Sequence, residues 1–85
     1  MEERLFGQSR RNVLLVYLYF KLYKNRDHFT QNDLEGDLDF SHRQATILIK
    51  RLKKLGVVKE EARVIDSRPK KIYVIQEDII KRLFS

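Results

Sequence analysis

Two helix-start signals close together in the chain constrain its fold more than any other feature. Thr30 is followed three residues later by Asp33, and Ser41 is followed three residues later by Gln44. Each pair has the spacing of a capping box, in which two residues satisfy each other's backbone N–H groups at the start of a helix. The pattern predicts a short helix over about 31–38 and a second helix that begins about three residues later. Two helices joined by so tight a turn form a helix-turn-helix.

The second predicted helix, over 41–55, separates apolar from basic side chains, and Gly56 is placed to end it. The apolar stripe contains Ala45, Leu48, Ile49, Leu52 and Leu55. The side opposite contains Arg43, Thr46, Ile47, Lys50 and Lys54. The segment Ser41–Gly56 has five basic side chains and no acidic one, whereas residues 28–40 include acidic side chains and no Lys or Arg. Because an α-helix fits the major groove of DNA, this charge sorting favours double-stranded DNA as the partner.

The remaining segments complete one α+β domain over 1–85. An apolar helix is predicted over 9–25 with Ser9 as its cap, and two β-branched runs over 57–65 and 70–75 predict a hairpin. Asp66-Ser67-Arg68-Pro69 is the turn-rich break between the runs. A short amphipathic helix is predicted over 76–84. These boundaries place the helix-turn-helix at about 30–56 and the hairpin at about 57–75.

Candidate DNA contacts follow from position on the predicted recognition helix, and several have a structural alternative. His42 and Arg43 lie in the first turn, where Arg43 either binds a guanine edge or contacts a phosphate. For Gln44 the capping-box role would occupy the side chain, and Ile47 either packs on a thymine methyl group or is partly buried. The contact set on this helix comprises Ser41, His42, Arg43, Gln44, Thr46, Ile47, Lys50, Lys53 and Lys54. Arg51 lies beside the apolar stripe and either extends along it or pairs with an acid of the preceding helix.

The segment TQNDLEGDLDFSHRQATILIKRLKKLGVV, with the later SRPKKIYVI, resembles the winged-helix regulators of the MarR and TrmB-like groups. Leu52 and Gly56 have the spacing that ends the recognition helix in those families, and residues 67–73 look like the "GRPxKxY" turn of a TrmB-like wing, with Ser67 where Gly is usual. The resemblance covers about residues 28–75. Besides Ser67, two positions in the helix-turn-helix depart from the family: Glu35 stands where a small Ala is usual, and Asp39 replaces the Gly of the turn.

The resemblance implies a winged helix-turn-helix: a three-helix core, a two-stranded wing and a short C-terminal helix. It further implies that Arg68 reaches a minor groove or its phosphates, and that Lys70 and Lys71 contact the backbone. MarR-type proteins are longer and enclose an effector pocket, for which this chain has little room, so no small-molecule effector is expected.

Surplus apolar surface on the two terminal helices predicts a homodimer, because a small domain can cover little of it alone. The residues assigned to this interface are Leu14, Val16, Tyr17, Tyr19, Phe20, Ile79, Ile80, Leu83 and Phe84. The alternative is a monomer in which the terminal helix folds back over the first. A dimer would present two recognition helices to successive major grooves.

Other classes of function fit less well. The sequence has no Ser/His/Asp set and no Gly-rich phosphate loop, and its two histidines fall in unrelated positions, so an enzyme is not expected. No cofactor or metal site is predicted. The longest apolar run, Val13–Phe20, is too short to cross a bilayer, and a cytoplasmic location is expected, nucleoid-associated or in a host cell if the source is viral. The main alternative is a winged helix that serves as a protein–protein interaction subunit of a transcription or replication assembly.

Overall fold

Four helices and three strands make up residues 11–84, the part of the chain that this computed structural model describes. Helix α1 occupies residues 11–23 and is π-helical over Tyr17–Tyr23; α2 is Gln31–Asp37, α3 is His42–Leu55 and α4 is Glu77–Leu83. Strand β1 is His28–Phe29, β2 is Val58–Ile65 and β3 is Arg68–Ile75. The α+β class predicted from the sequence is confirmed. The predicted cap at Ser9 lies outside the described residues.

The sheet has three antiparallel strands in the order β1-β3-β2, whereas the sequence predicted two. Strand β1 has only two residues, and it pairs His28 with Val74 and Phe29 with Tyr73. So short a strand shows no alternation in sequence, which is why the pattern missed it. Through this strand, the segment between α1 and α2 is joined to the base of the hairpin.

The hairpin turn is tighter than the sequence predicted. Asp66 and Ser67 have φ angles of 54° and 64°, the signature of a two-residue type I′ turn. Arg68 and Pro69 therefore belong to β3 and not to the turn, with Pro69 opposite Val64. A proline is tolerated there because β1 pairs with β3 only farther along, so no second partner strand needs its missing N–H.

Helices α2 and α3 begin and end as the local sequence rules predict. Both capping boxes are formed, at Thr30 with Asp33 and at Ser41 with Gln44. Gly56 ends α3 with a φ angle of 77°. The backbone N–H of Val57 reaches the carbonyl oxygen of Leu52 at 3.1 Å, and that of Gly56 reaches Lys53 at 3.1 Å, which is a Schellman motif.

The turn between α2 and α3 contains a residue in the left-handed conformation. Asp39 has a φ angle of 59°, in a region that Asp and Asn adopt more readily than most other side chains. The turn therefore has a backbone shape that glycine would also allow. It lets α3 start after only four intervening residues.

Aromatic rings connect α1 to the sheet at the centre of the core. Phe20 of α1 stacks on Phe29 of β1 with ring centroids 5.1 Å apart, and Phe29 lies 5.8 Å from Tyr73 of β3. Phe20 and Phe29 have no exposed surface. Helix α3 packs Leu52 into the same core. This packing fixes the position of α3 relative to the sheet. It therefore determines which sides of α3 face solvent.

Helix α4 folds back onto α1. The hydroxyl of Tyr17 donates a hydrogen bond to Glu77 Oε1 at 2.9 Å, and Lys21 Nζ lies 3.7 Å from Glu77 Oε2. Ile80 of α4 is buried in the core. Among residues 11–84, no helix is long and apolar enough to span a membrane.

Candidate nucleic-acid interface

Helix α3 is fixed on its inner side by the core. Its four buried side chains are Ala45, Leu48, Ile49 and Leu52. They recur at helical spacing, so they define one continuous inner stripe and leave three other sides of the helix outside the core. The sequence predicted this stripe, except that Leu55, at its end, is 36% exposed.

One flank of α3 faces α2 and is occupied by hydrogen bonds. Gln31 Nε2 donates to Thr46 Oγ1 at 2.9 Å and lies 3.2 Å from Nδ1 of His42. The same His42 nitrogen is 3.3 Å from Glu35 Oε2. Thr46 in turn donates to the carbonyl oxygen of His42 at 2.9 Å. Two residues predicted to contact DNA, His42 and Thr46, therefore already help to join the two helices.

The first turn of α3 uses two more predicted contacts for capping. The Gln44 backbone N–H donates to Ser41 Oγ at 3.1 Å, and the Ser41 backbone N–H donates to Gln44 Oε1 at 2.9 Å. The Ser41 hydroxyl keeps its own proton for a further partner, and Gln44 keeps its amide N–H₂ group. Both residues are exposed, so the capping bonds limit their direction without removing them from the surface.

The outward side of α3 is basic and carries no acid. Arg43, Lys50 and Lys54 are exposed there, and within the described part of the chain none of them has an ion-pair partner. Ile47 lies between them and is 41% exposed. The sequence left open whether this isoleucine is exposed or partly buried; its exposure leaves an apolar contact point in the middle of the basic side.

Lys53 differs from the other lysines of α3 because it is paired. Its Nζ lies 2.9 Å from Oε1 of Glu60 on β2. This hydrogen bond raises the pKa of Lys53 and lowers that of Glu60. Lys53 therefore connects the helix to the hairpin, and its charge is partly neutralised before any anion approaches.

The hairpin carries the three remaining predicted contacts, all exposed: Arg68, Lys70 and Lys71. Residues opposite each other in an antiparallel pair share a face, and side chains alternate between faces along a strand. Lys71 is two residues from Tyr73, which stands opposite Glu60. It therefore shares the sheet face that turns toward α3, whereas Arg68 and Lys70 lie on the opposite face.

Lys70 and Lys71 also border an open groove of about 180 Å³ with Thr30, Gln31 and Asn32 at the start of α2. The outer face of the hairpin contains a further cation, Arg63, directly opposite Lys70. Its guanidinium lies 3.7 Å from Glu61, so it is partly neutralised.

Arg11 was not among the contacts predicted from the sequence, and the role of Arg51 was left open. Arg51 of α3 and Arg11 of α1 border the same groove on the flank of α3 that faces away from α2. Arg51 pairs with no acid of α2, although the sequence allowed for such a pair. Its i, i+7 spacing from Gln44 was a signal that it shares a flank with that residue; the position of Arg11 depends on tertiary packing and had no sequence signal.

Neither histidine belongs to a metal-binding cluster. His28 Nδ1 lies 2.9 Å from Asp27, and this hydrogen bond lowers the pKa of the Asp27 carboxyl. Among residues 11–84, no group of three or more His, Cys, Asp or Glu side chains is arranged to hold a metal ion.

The residues assigned to a dimer interface divide into three groups. Val16, Phe20 and Ile80 are buried within the chain itself, so placing them at an interface was wrong. Tyr17, Tyr19 and Ile79 are partly buried against the same core. Leu14, Leu83 and Phe84 remain exposed, at 39%, 37% and 41%. The sequence could not separate these groups because α1 is apolar on nearly every side.

The exposed side of α1 is wider than the sequence predicted. Leu15, Leu18 and Leu22 are 41%, 44% and 61% exposed and join Leu14 on the side of α1 away from the core. We call Leu14, Leu15, Leu18 and Leu22 the leucine stripe.

Comparisons with family models, with curated proteins and with solved structures return no match for this chain.

Proposed function

We propose that this chain is a winged helix-turn-helix protein that binds double-stranded DNA as a small dimeric transcriptional regulator. In this proposal α2 and α3 form the helix-turn-helix, α3 enters the major groove, and the β2–β3 hairpin is the wing. The order of helices and strands, and the antiparallel sheet, are compatible with such a fold.

The observation that carries the proposal is the unpaired outward side of α3. Arg43, Lys50 and Lys54 present positive charge there with no acid partner among the described residues. DNA attracts such a surface by releasing condensed counterions, and a helix has the width that the major groove admits. The net charge of +6 also attracts DNA, and this attraction acts at longer range.

The wing contributes to the same surface in the proposed complex. Lys71 shares the face that turns toward α3, where it is placed for the sugar–phosphate backbone beside the major groove. Arg68 lies next to the tip of the hairpin, where it reaches the adjacent minor groove or its phosphates. Lys70 lies on the other face of the sheet, so it contributes less to DNA binding than Lys71 and acts at longer range.

The leucine stripe supports the dimeric part of the proposal. Four leucines, each more than a third exposed, form a continuous apolar strip on one helix. A second copy of the same helix offers the complementary surface, and a two-fold axis through such a contact buries the same residues on both chains. The pair of α3 helices then addresses two half-sites about one helical turn apart.

Fluorescence anisotropy with random duplex DNA across a salt series tests the proposal. A dimer that contacts about eight phosphates gives a log–log slope of binding constant against salt near −7. Lys50→Glu is expected to remove most binding, whereas Lys59→Glu, the same charge reversal on an exposed residue of the outer sheet face, is expected to change it little. Circular dichroism of both variants checks the fold.

Flat, weak binding of the wild-type protein at low salt would overturn the DNA-binding proposal. Equal losses in the two variants would mean that overall charge matters and that α3 does not. Either result would favour the interaction-subunit function, for which the leucine stripe is the surface to pursue.

A further inference from the structure

A groove beside α3 contains arginine side chains that have no role in the proposed function. It is open to solvent, has a volume of about 340 Å³, and runs between the start of α1 and the flank of α3 that faces away from α2. Phe40, Ile47 and Leu48 contribute its apolar lining, and Arg11, Asn12 and Arg51 contribute polar groups. Gln44 completes the lining.

The polar groups of this groove are mostly hydrogen-bond donors. Arg11 and Arg51 have no acid partner among the described residues, and no carboxylate lines the groove. Gln44 already uses its amide oxygen to accept the backbone N–H of Ser41, which leaves its N–H₂ group as a donor. A groove lined by two arginines and an amide donor suits an oxyanion, because arginine binds phosphate oxygens in a bidentate manner.

The position of the groove identifies which oxyanion fits. Ile47 belongs both to the groove and to the outward basic side of α3, so the two surfaces are continuous. A helix in the major groove has one sugar–phosphate backbone on each side. The hairpin and α2 lie along one flank of α3, and this groove lies along the other.

We propose, resting on the DNA-binding function above, that this groove holds a phosphate of the DNA backbone on the side of the major groove away from the hairpin. Arg11 and Arg51 bind the phosphate oxygens, and the deoxyribose packs against Phe40. The protein then grips both backbones that border the major groove, so α3 is held in place from both sides. These contacts position the protein and carry no sequence information.

The salt dependence of DNA binding tests this inference. The double variant Arg11→Gln/Arg51→Gln is expected to reduce the slope by about 0.9 per bound chain, because both arginines bind the same phosphate and one lost phosphate contact removes about 0.9. The matched control Lys24→Gln/Lys59→Gln removes the same charge from two exposed positions outside the groove, and its slope is expected to stay close to that of the wild type. Thermal melting of each variant shows whether a change reflects folding.

A crosslinking experiment locates the phosphate directly. The chain has no cysteine, so Asn12→Cys introduces a single thiol at the groove. Duplex DNA with a thiol-reactive tether on backbone phosphorothioates is expected to capture this variant in a salt-sensitive manner. Lys59→Cys, on the outer face of the sheet, is expected to react much less.

The outcomes separate this inference from the proposed function. If the double arginine variant keeps the wild-type slope and Asn12→Cys is not captured, while Lys50→Glu still loses binding, the groove proposal is wrong and DNA binding stands. If the wild-type protein shows no salt-dependent binding, both proposals fail together. If the double variant keeps DNA binding but loses affinity for an acidic, leucine-containing peptide, the groove belongs to a protein partner.

Discussion

Replacing Ser41 by alanine tests whether this serine serves the helix or the DNA. The substitution removes the oxygen that accepts the Gln44 backbone N–H at 3.1 Å. The capping box then keeps only the bond from the backbone N–H of residue 41 to the Gln44 side chain. Loss of an N-cap costs about 1 kcal/mol, within a range of about 0.5–2. Ala45 has no exposed surface. The first turn of α3 therefore cannot fray without opening the core, and the cost is expected to appear in global stability.

The size of the effect on melting can be estimated from the length of the domain. For 60–100 residues, 1 kcal/mol corresponds to a Tm shift of about 4–8 °C, so Ser41→Ala is expected to melt lower by about that amount. Ser41→Asn supplies an equally good cap without adding charge, and its Tm is expected to stay close to that of the wild type. Differential scanning calorimetry at one pH gives both values. Anisotropy well below each Tm then measures DNA binding by folded protein.

Two results would refute this reasoning. An unchanged Tm in Ser41→Ala would mean that the capping bond contributes nothing to stability. A stable Ser41→Asn variant that no longer binds DNA would mean that the serine hydroxyl makes a direct DNA contact in addition to its capping bond. Binding that survives in Ser41→Asn supports the structural role alone.

Three further predictions address the charge pairs and the leucine stripe. Lys50→Gln is expected to reduce the salt slope of DNA binding by about 0.9 per bound chain, and Lys53→Gln by clearly less because the Lys53 charge is already paired; equal changes would contradict the pairing. Leu18→Glu is expected to convert a dimer to a monomer by light scattering, and a wild-type protein that is already monomeric would exclude the proposed interface. Finally, the hydrogen bond from Tyr17 lowers the pKa of Glu77. A carboxyl with a lowered folded-state pKa adds stability above its unfolded value of about 4.3, and that stability is lost as the pH falls through the folded value. The Tm of the wild type should therefore fall more steeply than that of Glu77→Gln between about pH 5 and pH 3, and parallel curves would show that the bond is not maintained in solution.

The features that sequence predicted well are those determined within a few residues of the chain. A capping box joins a side chain to a backbone group three residues away, so Thr30 and Ser41 marked both helix starts correctly. Gly56 marked the end of α3 for the same reason, since a left-handed residue there needs no distant partner. The turn before α3 is also local, because Asp39 adopts a left-handed conformation that Asp tolerates better than most residues do.

The features that sequence missed depend on contacts between distant parts of the chain. Strand β1 forms because Phe29 pairs with Tyr73 of β3, and a strand of two residues is too short to show this pairing in the sequence. On α1, Val16 and Leu18 are equally apolar, and only the position of the sheet decides that the first is buried and the second exposed. The same limit explains Lys53, whose partner Glu60 becomes its neighbour through the placement of the hairpin.

The division of α3 into fixed and unpaired sides has a consequence for how the proposed complex would select its DNA. Lysines contact phosphates as point charges, so Lys50 and Lys54 add affinity without reading sequence. His42 and Thr46 are committed to α2, which leaves Arg43 and Ile47 as the outward residues able to read base edges, a guanine and a thymine methyl group. One bidentate arginine is worth about 1–3 kcal/mol of discrimination, too little for a single α3 to find a site among competing DNA. Sequence-specific regulation by this chain would therefore require two copies on one site, and a variant that dimerises poorly is expected to lose specificity sooner than it loses affinity for random DNA.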